Sequence, residues 1–275
     1  MVSLSTLIPS TPGQFFHWCL ENANSDLVPF RANYAHYYDH RGGSEYLWNV
    51  YDQRLADIIP IASAEQKVLE IGCGIGSDLH WLALMGCKAT GIDVKSEWID
   101  AANELTKVVS KNFGPVGVDI RRINLLDMPA EQFDLIYMKD TFHHLEPRVE
   151  VTAKIASMLR PGGRVVIVEP NAWNPLIQLQ MFRIRGFNTI LTKTDQATGE
   201  KFVYGNERLL FGSTMKRLFR QAGVHGSTRT FRVLPTALAG KPAFVRGAEI
   251  VEKLKLCHLI PPLAIHCVYS GTKAG

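Results

Sequence analysis

The stretch VLEIGCGIGSD, residues 68–78, sets an apolar strand against Gly72, Gly74 and Gly76, and a helical pattern starts at the last of these glycines. Glycine reaches left-handed turn conformations without a Cβ penalty, and its bare backbone lets a ligand lie against the start of a helix. Outward from that turn, strand and helix signals alternate. Short apolar strands are expected at Lys67–Ile71, Lys88–Asp93, Asp119–Ile123, Phe133–Met138 and Gly163–Glu169. A helix is expected from about Gly76 to a stop at Gly86, and a second from near Ser96 with Trp98, Ala101, Leu105 and Val108 inward. A third, Pro147 to Leu159, puts Val151, Ile155, Met158 and Leu159 on one side and is stopped by Pro161 and Gly162. This alternation is the pattern of a parallel sheet with crossover helices. Beyond it, Ser213 reads as the N-cap of a helix with Met215, Leu218, Phe219 and Ala222 inward and Gly223 as its stop. Late strands are expected at Ser227–Leu234 and Ala264–Ser270, with a helix near Ala248–Cys257 between them.

Three details narrow what the glycine turn binds. A dinucleotide fingerprint wants a third glycine where Ser77 stands. Glu70 places a carboxylate just before the turn, where a pyrophosphate would be repelled and a cationic amino or sulfonium group tolerated. Asp93 closes the next strand 21 residues after Gly72, where a carboxylate accepts two hydrogen bonds from a ribose diol. Asp93 alone also reads as a plain negative charge ahead of the next helix.

The ExGxGxG pattern followed by a strand-ending acid resembles the signature of class I S-adenosylmethionine-dependent methyltransferases. The resemblance runs in order for about 100 residues. INLLDMP (123–129) resembles the family's third strand end, FDLIYMKDTFHHL (133–145) its fourth strand and following loop, and LRPGGRVVIVEPN (159–171) its fifth strand. Before about Lys67 and within 171–207 the likeness weakens.

The resemblance implies a Rossmann-like α/β fold: a seven-stranded, mostly parallel sheet with helices on both faces. It implies an N-terminal helical lid over residues 1–66, a cofactor domain over 67–275 and a substrate-side insertion at 171–207. The implied cofactor is S-adenosylmethionine, leaving as S-adenosylhomocysteine. Its implied contacts are Glu70, Gly72, Cys73, Gly74, Gly76, Asp93, Val94, Asn124, Leu125 and Lys139. Asn124 stands where the family more often has Asp; an amide also pairs with adenine. The N-terminal segment FRANYAHYYDHRGG (30–43) carries Tyr34, Tyr37 and Tyr38, and a family lid tyrosine at Tyr37 or Tyr38 is expected to touch the cofactor. A surface helix packing its aromatic face on the sheet is the other reading.

Ligands of open α/β sheets bind beyond the carboxyl ends of the strands, so Asp140, His143, His144 and Glu169 are the candidate catalytic groups. Histidine suits removal of a phenol or amine proton near neutral pH, with His143 placed ahead of His144. Paired histidines here also serve the family as structural or cofactor-loop residues, and Glu169 also reads as a cap on a loop. No metal is expected: adjacent histidines should point apart, and no third ligand has suitable spacing.

The chain has 275 residues, 46% hydrophobic and 20% charged, which suits a globular core. No apolar run approaches the ~20 residues of a membrane-spanning helix, and the N-terminus lacks the basic region of a signal peptide. Cys19, Cys73, Cys87, Cys257 and Cys267 have no metal-binding spacing and read as buried thiols of a reducing, cytoplasmic compartment. Residues 1–174 carry 15 Lys/Arg against 21 Asp/Glu, and residues 175–275 carry 15 against 5. That basic third reads as a solvated face, or as a surface for acidic partners.

The expected function is methyl transfer to an oxygen or nitrogen of a small molecule, with a homodimer as the candidate assembly. The alternatives are a methyltransferase acting on RNA or protein, or a non-catalytic binder of the same cofactor. Nucleic acid is disfavoured, because MKDTFHH replaces the Asp/Asn-Pro-Pro-aromatic motif of nucleic-acid amine methylation.

Overall fold

The computed structural model describes residues 7–22, 45–60, 62–194, 199, 201–235 and 238–275. In chain order the elements are α1 (Pro12–Asn22), α2 (Glu45–Leu55), β1 (Lys67–Ile71), α3 (Ser77–Leu84), β2 (Lys88–Asp93), α4 (Ser96–Phe113), β3 (Val118–Arg122) and β4 (Phe133–Lys139). There follow α5 (Arg148–Met158), β5 (Leu159–Pro170), α6 (Pro175–Arg185), β6 (Ile190–Thr194), β7 (Lys201–Gly205), α7 (Gly212–Gln221), β8 (Val224–Phe231), α8 (Pro242–Lys253), α9 (Leu256–Leu259) and β9 (His266–Lys273).

The seven-stranded sheet has the order β3-β2-β1-β4-β5-β9-β8, and β6-β7 form a separate hairpin. β1 pairs in parallel with β2 and β4, and β2 with β3; β9 runs antiparallel to β5 and β8. This is the Rossmann-like, mostly parallel architecture that the family resemblance implies. The chain divides into two compact units. The first holds residues 1–128, 133–137 and 236–245, and the second holds 129–132, 138–235 and 246–275.

In the first unit, β1 is a strand because Val68, Leu69 and Ile71 lose nearly all contact with water, at about 1.5–3 kcal/mol per buried side chain. α4 buries Ile99, Ala102, Leu105 and Val109, spaced at three and four residues, and Gly114 ends it at φ 95°. Of the expected inward face, Ala101 and Leu105 are buried, while Trp98 and Val108 are only half-buried and Ile99 and Val109 take their places. α1 and α2 pack as a pair. Phe16 stacks on Tyr51 with ring centroids 4.5 Å apart, and the Gly13 N–H donates to Asp52 Oδ1 at 2.7 Å. The Trp81 indole, on α3, donates to the Pro9 carbonyl at 3.0 Å.

In the second unit, β5 begins at Leu159, earlier than the expected Gly163, with Gly162 at φ 75° inside it. β8 and β9 are each displaced by two or three residues from their expected spans. The 171–207 segment is a helix and a hairpin. α6 starts firmly because Asn174 Oδ1 accepts from the Leu176 and Ile177 N–H groups and Pro175 opens the helix. Ser213 is not an N-cap. The helix starts two residues earlier, at Gly212 after extended Phe211, with no side-chain cap. Packing sets that start: a Cβ on Gly212 would lie 3.0 Å from Thr228 Cγ2 and 3.2 Å from Cys267 Sγ. Met215 and Phe219 are buried as expected, while Leu218 and Ala222 are half-buried.

Candidate active site

The first unit carries the glycine turn. Gly72, Gly74 and Gly76 sit at φ 68°, 53° and 66°, conformations in which an L-residue is strained. The Gly72 and Cys73 N–H groups donate to the Ile92 carbonyl at 2.8 and 3.0 Å, which ties the turn to β2. Asp93, at the end of β2, completes the tie: its Oδ2 accepts from the Gly74 N–H and its Oδ1 from the Lys95 N–H, both at 3.1 Å. A carboxylate has about four lone-pair sites, so Asp93 keeps capacity for a diol. Burial raises its pKa, against the lowering pull of the backbone amides of Lys95, Gly74 and Val94 and of the Lys95 charge. A Cβ on Gly74 would meet nothing within 4 Å, so the turn leaves open space over its middle glycine.

Glu70 is buried on β1 and accepts from the Tyr137 hydroxyl at 2.9 Å, its register partner on β4. Asn124 caps a short turn: its Oδ1 accepts from the Leu126 N–H at 3.0 Å, and Leu125 beside it is buried. Val94 is exposed at the end of β2, with its carbonyl accepting from Arg122 Nε at 3.2 Å. Tyr38, with Tyr34 and Tyr37, lies outside the described residues.

Sequence reasoning missed three supports of this turn. Tyr51, on α2, hydrogen-bonds Ser77 Oγ at 3.0 Å and donates to Asp78. His80 is fully buried, with Nδ1 2.6 Å from the Gly76 carbonyl and Nε2 2.7 Å from Thr106 Oγ1. Burial keeps it neutral, with a pKa pushed down to about 4. Tyr137 had a legible signal, a lone hydroxyl within an otherwise apolar strand.

The second unit carries the histidines. Lys139 closes β4, and the turn beyond it, Phe142–His144, is a single 3-10 turn. Glu169, 3% exposed on β5, accepts from the Thr141 N–H at 3.0 Å, the Phe142 N–H at 2.7 Å and His143 Nδ1 at 2.5 Å. His144 Nδ1 donates to the Gly205 carbonyl at 2.8 Å, and its ring stacks on Tyr204 with centroids 4.7 Å apart. The two imidazoles do not point apart: their centroids are 4.0 Å from each other. Both Nε2 atoms face Glu207, His143 at 3.4 Å and His144 at 3.9 Å. A 3-10 turn places successive side chains about 120° apart, so neighbours reach one partner from two sides.

The electrostatics separate the two rings. Burial alone would lower the His143 pKa, but the Glu169 charge and hydrogen bond, with Glu207 and Asp140, push it up to about 10. His144 is shifted down, by burial first and then by the charge on His143. The Glu207 carboxyl is held below its ordinary range, first by its hydrogen bond with His143. His143 is therefore a buried cation at neutral pH, and His144 a neutral ring with its Nε2 lone pair available. That reverses the order expected for a proton acceptor.

Arg148 and Glu146 hold the turn from below. Glu146 Oε1 lies 3.0 Å from Arg148 Nε and 2.6 Å from Arg208 Nη1, while Arg148 Nη2 donates to the Arg208 carbonyl at 2.7 Å. Glu207 and Gly205 were missed because they lie more than 60 residues beyond the histidines they meet.

Comparison with known proteins agrees with this geometry. Residues 69–165 match the profile of a family described as a methyltransferase domain. Methyltransferase GfsG of Streptomyces halstedii is 30% identical over 132 residues, 47% of each chain. The 27-O-demethylrifamycin SV methyltransferase of Amycolatopsis mediterranei is 28% identical over 115 residues, 42% of each chain. The chain thus spans under half the length of these first relatives. The ubiquinone biosynthesis O-methyltransferase of Aeromonas salmonicida is 28% identical over 214 residues, 74% of this chain and 87% of that one. Among solved structures, an S-adenosylmethionine-dependent methyltransferase from Archaeoglobus fulgidus superposes with TM-score 0.55 at 16% identity, covering 88% of this chain and 99% of that one. One from Methanosarcina mazei gives 0.55 at 19% identity, covering 79% and 96%. At these identities the structures establish the fold. Among the described residues, no helix is long and apolar enough to cross a membrane.

Proposed function

We propose that this chain is a class I S-adenosylmethionine-dependent methyltransferase that moves a methyl group to an oxygen or nitrogen of a small molecule, a reading supported by its fold and by the methyltransferase-domain match over residues 69–165. The observation that carries this reading is the glycine turn hydrogen-bonded to a strand-ending carboxylate, Gly74 N–H to Asp93 Oδ2 at 3.1 Å. The oxygen acceptors in the names of the rifamycin and ubiquinone relatives support an oxygen acceptor here.

When bound, S-adenosylmethionine supplies an electrophilic methyl group on a sulfonium. Asp93 would accept the ribose hydroxyls, Glu70 would face the methionyl ammonium, and Gly72 through Gly76 would admit the ligand against bare backbone. Asn124 and Leu125 would meet the adenine, with Val94, Cys73 and Lys139 at its flanks. Residues 1–66 are taken as the cap, with Tyr38 as its cofactor contact, and 171–207 as the substrate-side insertion.

Displacement at the methyl carbon needs alignment and exclusion of water above all. Where the acceptor must lose a proton, His144 would take it, because His143 already carries one. Glu169 would then position the loop and the His143 ring, and His143 would donate from Nε2 to an acceptor oxygen. A cytoplasmic location is supported by five free, buried cysteines.

Calorimetric titration with S-adenosylhomocysteine tests the cofactor. Asp93→Ala should weaken binding by about 1.5–3 kcal/mol, the worth of hydrogen bonds to a charged group. Unchanged affinity would remove Asp93 from the ribose role, and tight NAD binding without an adenosylhomocysteine signal would sink the reading.

Acidity provides a second check. Burial raises the Asp93 pKa, so on acidification its carboxylate is lost at a higher pH than an ordinary aspartate's. Adenosylhomocysteine affinity should fall as pH drops through that range and recover on return. In Asp93→Asn the dependence should flatten; an identical slope in the variant would assign it to another group.

A further inference from the structure

The cluster of the second unit has the form of a coordination site. Among the described residues, His143, His144 and Glu207 each offer one ligand atom, and these atoms all lie within 4.8 Å of one another. Both histidines have their Nδ1 engaged, His143 with the buried Glu169 carboxylate at 2.5 Å and His144 with the Gly205 carbonyl at 2.8 Å. Metal-ligating histidines are held the same way. The ring nitrogen away from the ion donates to a carboxylate or a carbonyl, which fixes the tautomer and aims the other nitrogen. Here one ring has each kind of partner, and both Nε2 atoms converge on the Glu207 carboxylate.

Spacing agrees. Nitrogen and oxygen donors about 2.0–2.1 Å from a tetrahedral ion stand about 3.3 Å from one another. The Nε2-to-carboxylate distances are 3.4 Å for His143 and 3.9 Å for His144, so small side-chain rotations close the set. Glu207 has a left-handed backbone, φ 49°, uncommon for a residue with a Cβ and often found where a side chain is held for a task. Its neighbour Gly205 has no room for a Cβ, which would lie 2.2 Å from the His143 carbonyl oxygen. The hairpin is therefore pressed against the histidine turn, and the carboxylate is delivered from it.

We propose that His143 Nε2, His144 Nε2 and the Glu207 carboxylate bind a divalent first-row transition-metal ion, which displaces the Nε2 proton of His143 to solvent, with Glu169 and Gly205 positioning the two rings. Two imidazoles and one carboxylate suit zinc or ferrous iron, whereas magnesium and calcium seek oxygen donors. Three protein donors leave a position for water or for an oxygen of the acceptor. The site goes beyond methyl transfer and does not depend on it. In the metal-loaded protein His144 is a ligand, and the ion's charge takes over the task of easing proton loss from a bound oxygen.

The test uses the full chain, stripped with a chelator and free of cofactor. Zn2+ binding is read by calorimetry and Co2+ binding by its visible absorption. One equivalent of each is expected, with a cobalt spectrum of low coordination number. Glu207→Gln and His144→Gln should each weaken Zn2+ binding by at least about 100-fold, and Glu169→Gln, acting through His143, by about 10–100-fold. Glu207→Gln is nearly isosteric, and thermal melting before metal addition confirms that it folds. Wild-type protein that binds Zn2+ no more tightly than the double variant Glu207→Gln/His144→Gln would overturn the site. So would cobalt bound without a ligand-field band. Neither result touches the cofactor reading, which rests on adenosylhomocysteine binding in the other unit.

Discussion

Glu169→Ala is expected to lower the stability of the metal-free protein by about 3–5 kcal/mol, the cost of leaving a buried charge without its partner. Glu169 accepts from two backbone amides and one imidazole, and both it and His143 are 3% exposed. Removing it strands the His143 cation and the Thr141 and Phe142 N–H groups together. Glu169→Gln keeps an acceptor oxygen but not the charge, so its loss should be smaller. Chemical denaturation measures both.

The pH dependence has a definite sign. An unfolded histidine titrates near 6.5, and His143 in the folded protein titrates near 10. The folded state therefore binds the extra proton between those values, and stability falls as pH rises through that window. Burial opposes this shift, and Glu169, Glu207 and Asp140 are the charged groups that set it. Glu169→Gln should flatten the slope. A loss under about 1 kcal/mol for Glu169→Ala, in the range of an ordinary exposed pair, with an unchanged pH profile would mean that His143 is neutral.

Gly205→Val should have the second large effect, about 3 kcal/mol, the upper end of overpacking costs. The nearest atom to a new Cβ is backbone, the His143 carbonyl oxygen at 2.2 Å, and no rotamer relieves it. β7 must move away from the histidine turn. That movement breaks the His144 Nδ1 bond to the Gly205 carbonyl and the Leu145–Tyr204 bridge. Hydrogen exchange should show the hairpin opening while β1 and β2 keep their protection. Wild-type exchange throughout would show that the close approach has slack.

Much of the parallel half was legible because its signals are local. β1, β2 and β4 are runs of apolar residues between turns, and the glycine conformations follow from Gly72, Gly74 and Gly76 themselves. On α4 the expected face holds at Ala101 and Leu105 and fails at Trp98 and Val108, because Trp98 drew the apolar face to itself. The spacing that fits Leu105 and Val109 runs back through Ala102 and Ile99, and the indole is left half-buried. Ser213 was misread because a hydroxyl before an apolar pattern signals a cap, whereas contact with Thr228 and Cys267 sets the helix start. The second half of the site was not legible. Adjacent histidines read as diverging when taken as a strand, whereas the 3-10 turn Phe142–His144 lets both face Glu207. Glu169 was found as a strand-end acid, but its partner rings and the Gly205 approach depend on tertiary pairing that no local spacing encodes.

The placement of β9 between β5 and β8 bears on how the chain comes into being. Arg164 of β5 pairs with Thr272, and Val224 of β8 with Lys273, so a strand made later fills a slot between two earlier ones. Until β9 emerges from the ribosome, β5 has no neighbour on that side, and Val165, Ile167 and their apolar companions present an unpaired edge. Such long-range closure is slow, and a hydrophobic edge left waiting is open to strands from other chains. The nascent protein thus spends the translation of about a hundred residues with its fifth strand half-paired, and shielding by chaperones or by the α6 and hairpin segment made directly after it would matter most in that interval.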